Sequence, residues 1–191
     1  MRKLFSSFLS PKKQEMNVTD DYITEDYRKW RELIFSLKPE SAQISSKEVD
    51  RVFGVVMDYV QIYAEPSTLL GLSQTTFASG ESSIKATTGA GVIGLGIGKD
   101  EEHIFTVGQQ IIGIAQQLLS SAVRTTDYSL PLPRIVRFFF FTTSGTYFID
   151  SHIDDIEHGN KQVFEMFNGF MFIRRYADSI MMLANKQKPS T

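Results

Sequence analysis

Apolar residues along the chain recur with several different periods, and each period implies an element. Tyr27, Trp30, Ile34 and Leu37 recur in steps of three and four over residues 22–37, and Pro39 follows. That spacing lines one face of a helix, which the proline ends. The next run, "SSKEVDRVF", opens with Ser45 and Glu48 three positions apart. The pair fits a capping box, in which each side chain satisfies a free amide at a helix start. Val49, Phe53, Val56, Val60 and Tyr63 continue at helical steps, and Val52 and Tyr59 widen the stripe. The pattern predicts a second, deeply packed helix that ends at Pro66.

Further on the period shortens. Residues 69–77 and the chain from Ser83 onward read as strands, with "ASGES" as the turn between them and the glycine-rich stretch extending the second strand. Asp100, Glu101 and Glu102 suit the first turn of a helix, where carboxylates meet the positive end of the dipole. Ile104, Val107, Ile111, Ile114 and Leu118 give that helix its core stripe, and it is expected to run to about Arg124. After the loop "TTDYSLPLP", the run "RIVRFFFFTTSGTYFID" reads as a hairpin with Ser144-Gly145 as its two-residue turn. Val163, Phe167, Phe170, Ala177 and Ile180 mark a last helix over about 160–184.

The expected order is ααββαββα. Strands paired through tight turns imply an α+β fold with a largely antiparallel sheet of about four to five strands. In "FFFF", Phe138 and Phe140 face one side and Phe139 and Phe141 the other, so both sides need a cover of helices or a second subunit. By element order alone, with no motif behind it, this is loosely similar to profilin-like and secretion-chaperone-like α+β folds. Residues 1–21 read as a flexible arm, 22–184 as a single domain and 185–191 as a loose tail.

Composition narrows the chemistry. Twenty basic and twenty-two acidic side chains give a net charge of −2, with no broad footprint for nucleic acid. Cysteine is absent, which excludes disulfides, thiolate zinc sites and a cysteine nucleophile, and fits a cytoplasmic protein. The start "MRKLFSSFLSPKK" is too short and broken in its apolar run to read as an export signal. Its Met1, Leu4, Phe5, Phe8 and Leu9 form a basic amphipathic turn, so residues 1–9 are a candidate membrane contact, with a frayed terminus as the plainer reading. The uncharged stretch 104–123 holds four glutamines and reads as a core helix rather than a membrane span.

Gly89, Gly91 and Gly94 fit the dinucleotide fingerprint G-x-G-x-x-G letter by letter. The chemistry behind that motif needs a buried strand before it and an unbroken helix after it. Here a polar "SSIKATT" precedes, and the helix would contain Gly94, Gly96 and Gly98, each costing about 1 kcal/mol relative to alanine. The phosphate-loop pattern fails as well, because Ile93 and Asp100 stand where it needs glycine and a hydroxyl. At strand period, Ile93, Leu95 and Ile97 point one way and Gly94, Gly96 and Gly98 the other. The bare side is either packed tightly by a helix or forms the floor of a ligand groove.

In "SHIDDIEHGN", His152, Asp154 and His158 are candidate metal ligands, although their spacing fits no named motif and a polar connection between strand and helix is the plainer reading. His103 follows three acids at a helix start with no nucleophile placed beside it, and no G-x-S-x-G elbow occurs. Arg134, Arg137, Arg174 and Arg175 are basic residues among aromatics, a pattern that also occurs in single-strand nucleic-acid binders. The aromatics outnumber them and are better explained as core. With no cofactor implied, the expected function is non-catalytic binding of a protein partner or a second copy, in a regulatory, chaperone-like or immunity-type role. Fifteen phenylalanines and seven tyrosines supply the aromatic surplus that interfaces favour. The alternative is a small-ligand or metal-dependent enzyme that uses the glycine face and residues 152–158.

Overall fold

The computed structural model describes residues 23–45, 47–63, 68–88, 92–97 and 101–186, with the backbone alone at 63, 68, 92–97 and 180–186. Helix α1, Glu25–Phe35, starts at Thr24, whose side chain accepts from the Tyr27 amide. Four strands follow: β1 Val52–Tyr63, β2 Thr68–Phe77, β3 Ser82–Ala86 and β4 Val92–Ile97. Then come α2 Glu102–Leu118, the short β5 Val123–Thr125, the hairpin of β6 Ile135–Thr142 and β7 Gly145–His152, and the long α3 Lys161–Lys186. The strands form one sheet in the order β4-β3-β2-β1-β6-β7-β5, and every pairing is antiparallel. The fold is α+β. The sheet has seven strands rather than four to five.

Helices cover both faces, as the alternation in "FFFF" requires. Phe138 and Phe140 meet α2 and α3 in a cluster with Ile104, Ile111, Met166 and Phe170. Phe139 and Phe141 join Tyr27, Trp30 and Ile34 of α1 on the other face. All four phenylalanines are 3% exposed or less.

The expected second helix is the central strand β1. The error has a physical source. A bulge between Val52 and Gly54 slips the register, pairing Val52 with Thr142 but Gly54 with Phe141. Phe53 thereby joins Val56 on the α1 face, three positions apart instead of two, which mimics a helical step. Gly54 is needed at this point, because a Cβ on it would lie 2.6 Å from the Phe77 ring. The presumed cap forms only a turn, in which Ser45 Oγ accepts from the Lys47 amide at 3.3 Å, and Val49 is 85% exposed. Five β-branched residues within β1 favour a strand buried on both faces.

The segment from Ser83 through the glycines is two paired strands, β3 and β4, rather than one. Helix α2 stops at Leu118, and Val123–Thr125 pairs with β7 instead. The hairpin turn is Thr143-Ser144, because Thr142 pairs with Gly145. The order becomes αββββαβββα, so the loose likeness in element order does not hold. No helix among the described residues is long and apolar enough to cross a membrane. The arm's residues 1–21 and the tail from 187 lie outside the described residues.

Candidate functional site: a cleft beneath the last helix

At one end of the sheet, the last residues of β1 lie beside the first of β6, and α3 passes over both. Between them is a cleft of about 380 Å³. Its apolar lining comes from Ile62, Ile135, Val136 and Ile153, with Phe167 and Met171 from α3. These two side chains project from successive turns of the helix, four residues apart, so they share one face.

Two arginines and a phenol supply the polar groups. Arg174 donates to the Tyr59 hydroxyl, and its Nε lies 4.0 Å from Asp178 one turn on. Arg134 pairs with Asp154. Arg134 has a φ of 70°, in the left-handed region that a bulky side chain seldom occupies. Its carbonyl accepts from the Ile153 amide at 2.8 Å, which ties the start of β6 to the turn after β7. Strained backbone held by its surroundings is a recurring mark of ligand-contacting positions. Ile62 is 47% exposed at the cleft, and Leu132, in the turn leading to Arg134, is 70% exposed.

Chemically, the cleft offers an apolar floor and cationic donors. Among the described residues its lining contains Tyr59 and Gln61 but no carboxylate, imidazole or aliphatic hydroxyl. It can hold an apolar group with an acidic end directed at Arg174 and Tyr59.

The residues singled out from the sequence have several fates. His152 and Asp154 come together, with Nδ1 3.4 Å from Oδ2, but Asp154 is already engaged by Arg134. His158 is exposed beyond the turn, and among the described residues no three His, Asp or Glu side chains converge as a metal would need. The 152–158 segment does contribute to the cleft, through Ile153 and the Asp154 pair. Gly94 and Gly96 lie on β4 at the edge of the sheet, while Gly89, Gly91 and Gly98 fall outside the described residues. His103 is exposed on α2, and Arg175 is exposed on α3. Arg137 stacks over Phe148, 4.8 Å from the ring centroid, and pairs with Asp150 through two bonds of 2.7 Å.

A buried polar centre on the α1 face had no sequence signal. Arg31 Nη2 donates to Asp58 Oδ2 at 2.6 Å and to the Tyr128 carbonyl at 2.5 Å. Its Nη1 donates to Ser73 and Tyr27 at 3.2 and 3.3 Å. Ser73 also donates to Asp58, which is fully buried. Burial lowers the proton affinity of Arg31, but Asp58 and Tyr27 together, through charge and hydrogen bonds, more than offset it and raise its pKa above the ordinary value. Burial, reinforced by the Asp58 charge, pushes the Tyr27 phenol well above its ordinary range. This centre anchors the 126–133 loop to α1 and leaves no opening for a ligand to reach Asp58.

Comparison with protein-family models, curated proteins and solved structures finds no match to this chain.

Proposed function

We propose that the protein is a non-catalytic binding domain, in a regulatory, chaperone-like or immunity-type role, whose α3 cleft receives an apolar, acid-bearing group from a protein partner. One observation carries this reading: an apolar-floored cleft with two arginines at its polar side and an exposed Ile62 at its edge. Apolar area flanked by arginine is the composition that concentrates binding energy at interfaces. The positive φ of Arg134 supports it, since strained backbone recurs at ligand-contacting positions.

The test is selection of displayed peptides on the full chain, followed by titration of the selected peptides. The expected ligands combine large apolar residues with an acidic one. Arg174→Glu and Ile62→Asp should each weaken them about tenfold or more, which is about 1.4 kcal/mol. Peptides that bind both variants as well as the parent would refute the reading. A second reading is a small amphipathic carboxylate in the same cleft, and the volume favours it, because ligand pockets span roughly 300–1,000 Å³. Octanoate competing with no selected peptide, yet losing affinity in Arg174→Glu, would shift the conclusion to that reading.

A further inference from the structure

A second concavity lies on the opposite face and at the opposite end of the sheet, beside the β6–β7 turn. It measures about 370 Å³ and is bounded by the end of α1, the start of β1, β5 and the hairpin turn. Its character differs from that of the α3 cleft. Threonines and Ser144 dominate the rim, Phe35 and Tyr128 form an aromatic wall, and Lys38 and Arg124 supply positive charge. Among the described residues its lining contains no carboxylate, although Asp50 accepts from the Ser144 hydroxyl at the rim.

Among the described residues neither cation pairs with a carboxylate. Arg124 makes one hydrogen bond there, from Nη2 to the Ser144 carbonyl at 2.8 Å, which aims the guanidinium along the turn. Among the described residues the Lys38 ammonium has no partner, and neither do the hydroxyls of Thr126 and Thr146. Elsewhere the described cations tend to be paired: Arg31, Arg51, Lys85, Arg134 and Arg137 each meet a carboxylate. Two cations without a carboxylate partner and two hydroxyl donors around a hollow whose described lining has no acid form a receptor for a concentrated negative charge. The aromatic wall is already ordered, since Phe35 and Tyr128 stack with centroids 4.5 Å apart. The two planes are tilted by 32° and Arg31 already lies 4.6 Å from the Phe35 centroid, so the apolar surface beside the charge is that of Tyr128.

We infer that this pocket binds a nucleoside monophosphate, with the phosphate between Lys38 and Arg124 and the base against Tyr128. The site is separate from the α3 cleft and does not depend on what occupies it. It also owes nothing to the glycine run 89–98, whose fingerprint resembles a nucleotide loop only in its letters.

Calorimetric titration of the full chain with AMP, GMP, CMP and UMP tests this, with the matching nucleosides and inorganic phosphate as controls. At least one nucleotide should bind one-to-one, at about millimolar or tighter. Its nucleoside and phosphate alone should bind about tenfold more weakly or less. Raising the salt should weaken binding, because the charges are exposed. Lys38→Gln and Arg124→Gln should each lower affinity about tenfold. Among the described residues Lys38 makes no hydrogen bond or ion pair, so Lys38→Gln tests the site even where Arg124→Gln disturbs the turn. The proposal is overturned if none of the four nucleotides binds, if Lys38→Gln binds as tightly as the parent, or if inorganic phosphate binds as well as the nucleotide. A phosphotyrosyl peptide that binds where all four nucleotides fail would likewise replace it with a protein ligand.

Discussion

Two neighbouring rows of side chains cross the middle of the sheet, and they solve burial in opposite ways. On the α1 face, successive cross-strand partners are Lys85, Ser73, Asp58, Arg137 and Asp150. One residue along, on the α2–α3 face, the partners are Ile84, Gln74, Met57, Phe138 and Ile149. The first row is charged or polar at every position, and every member is engaged. Lys85 reaches Asp26, Ser73 and Arg31 hold Asp58, and Arg137 grips Asp150. The second row is apolar except for Gln74, which is fully buried with neither its Oε1 nor its Nε2 hydrogen-bonded. A charge that keeps its partners is therefore tolerated at the centre of this sheet, whereas a neutral amide without partners stands as a defect. The charged row also fixes pairing. A one-residue slip of β1 would move Asp58 to the apolar face and strand Arg31.

The comparison breaks most sharply at Asp58. Asp58→Asn removes the charge that Arg31 was buried against, and loss of one member of such a pair costs about 3–5 kcal/mol. The unfolding midpoint in urea should fall accordingly, at unchanged slope. Arg31→Met in the same chain should recover much of the loss, since an uncharged stem leaves nothing unpaired. A cost below about 1 kcal/mol for Asp58→Asn would show that the row is solvated, and the contrast between the two faces would collapse.

A change of opposite sign is expected at Gln74. Gln74→Met keeps an unbranched side chain of similar length and removes two unpaired polar atoms. Each buried unsatisfied group costs about 1–3 kcal/mol, so the variant should be more stable by an amount of that order. Destabilisation would mean that the amide has an unseen partner, such as a buried water making two or more bonds.

Legibility from the sequence follows the same division. Helices α1 and α3 and the strands of "FFFF" were readable because their periods are undisturbed and their contacts are largely apolar. Strand β1 was not readable, because the bulge at Phe53 changes its spacing at the point where Ser45 and Glu48 suggest a cap. The β3–β4 turn was missed because polar and glycine residues there continue the strand pattern in letters alone. The α3 cleft was legible only in part. Ile153 and Asp154 lie in the segment singled out for its histidines, but as an apolar wall and an ion-pair partner rather than as ligands. Tyr59 and Arg174, which meet across it, are 115 positions apart, and no local pattern signals that contact. Arg31 and Asp58 were invisible for the same reason. Asp58 falls within the expected second helix, and only the strand identity of β1 places it opposite Arg31 of α1.

The smallest effect separates the two faces by pH. Tyr27 sits beneath the charged row, its hydroxyl 2.5 Å from Ser73 Oγ, and its pKa is raised above 10.0 chiefly by burial and then by Asp58. A phenol whose pKa is higher when folded than when unfolded favours the folded state fully at pH values below the unfolded value. That contribution is lost as the pH climbs from about 10 towards the folded value, because the unfolded chain releases its proton first. Stability should therefore decline progressively above about pH 10. In Tyr27→Phe that decline should be shallower, although the variant should start lower at neutral pH by about 0.5–1.5 kcal/mol for the lost hydrogen bond. Tyr176 is also raised, through its hydrogen bond with Glu101, so Tyr176→Phe is the control that assigns the slope. Denaturant midpoints at pH 8, 10 and 11 compare the three chains. If Tyr27→Phe and the parent lose stability in parallel over that range, Tyr27 ionises as readily when folded as when unfolded. The charged row would then be more open to water than its buried partners indicate, and the cost expected at Asp58 would shrink with it.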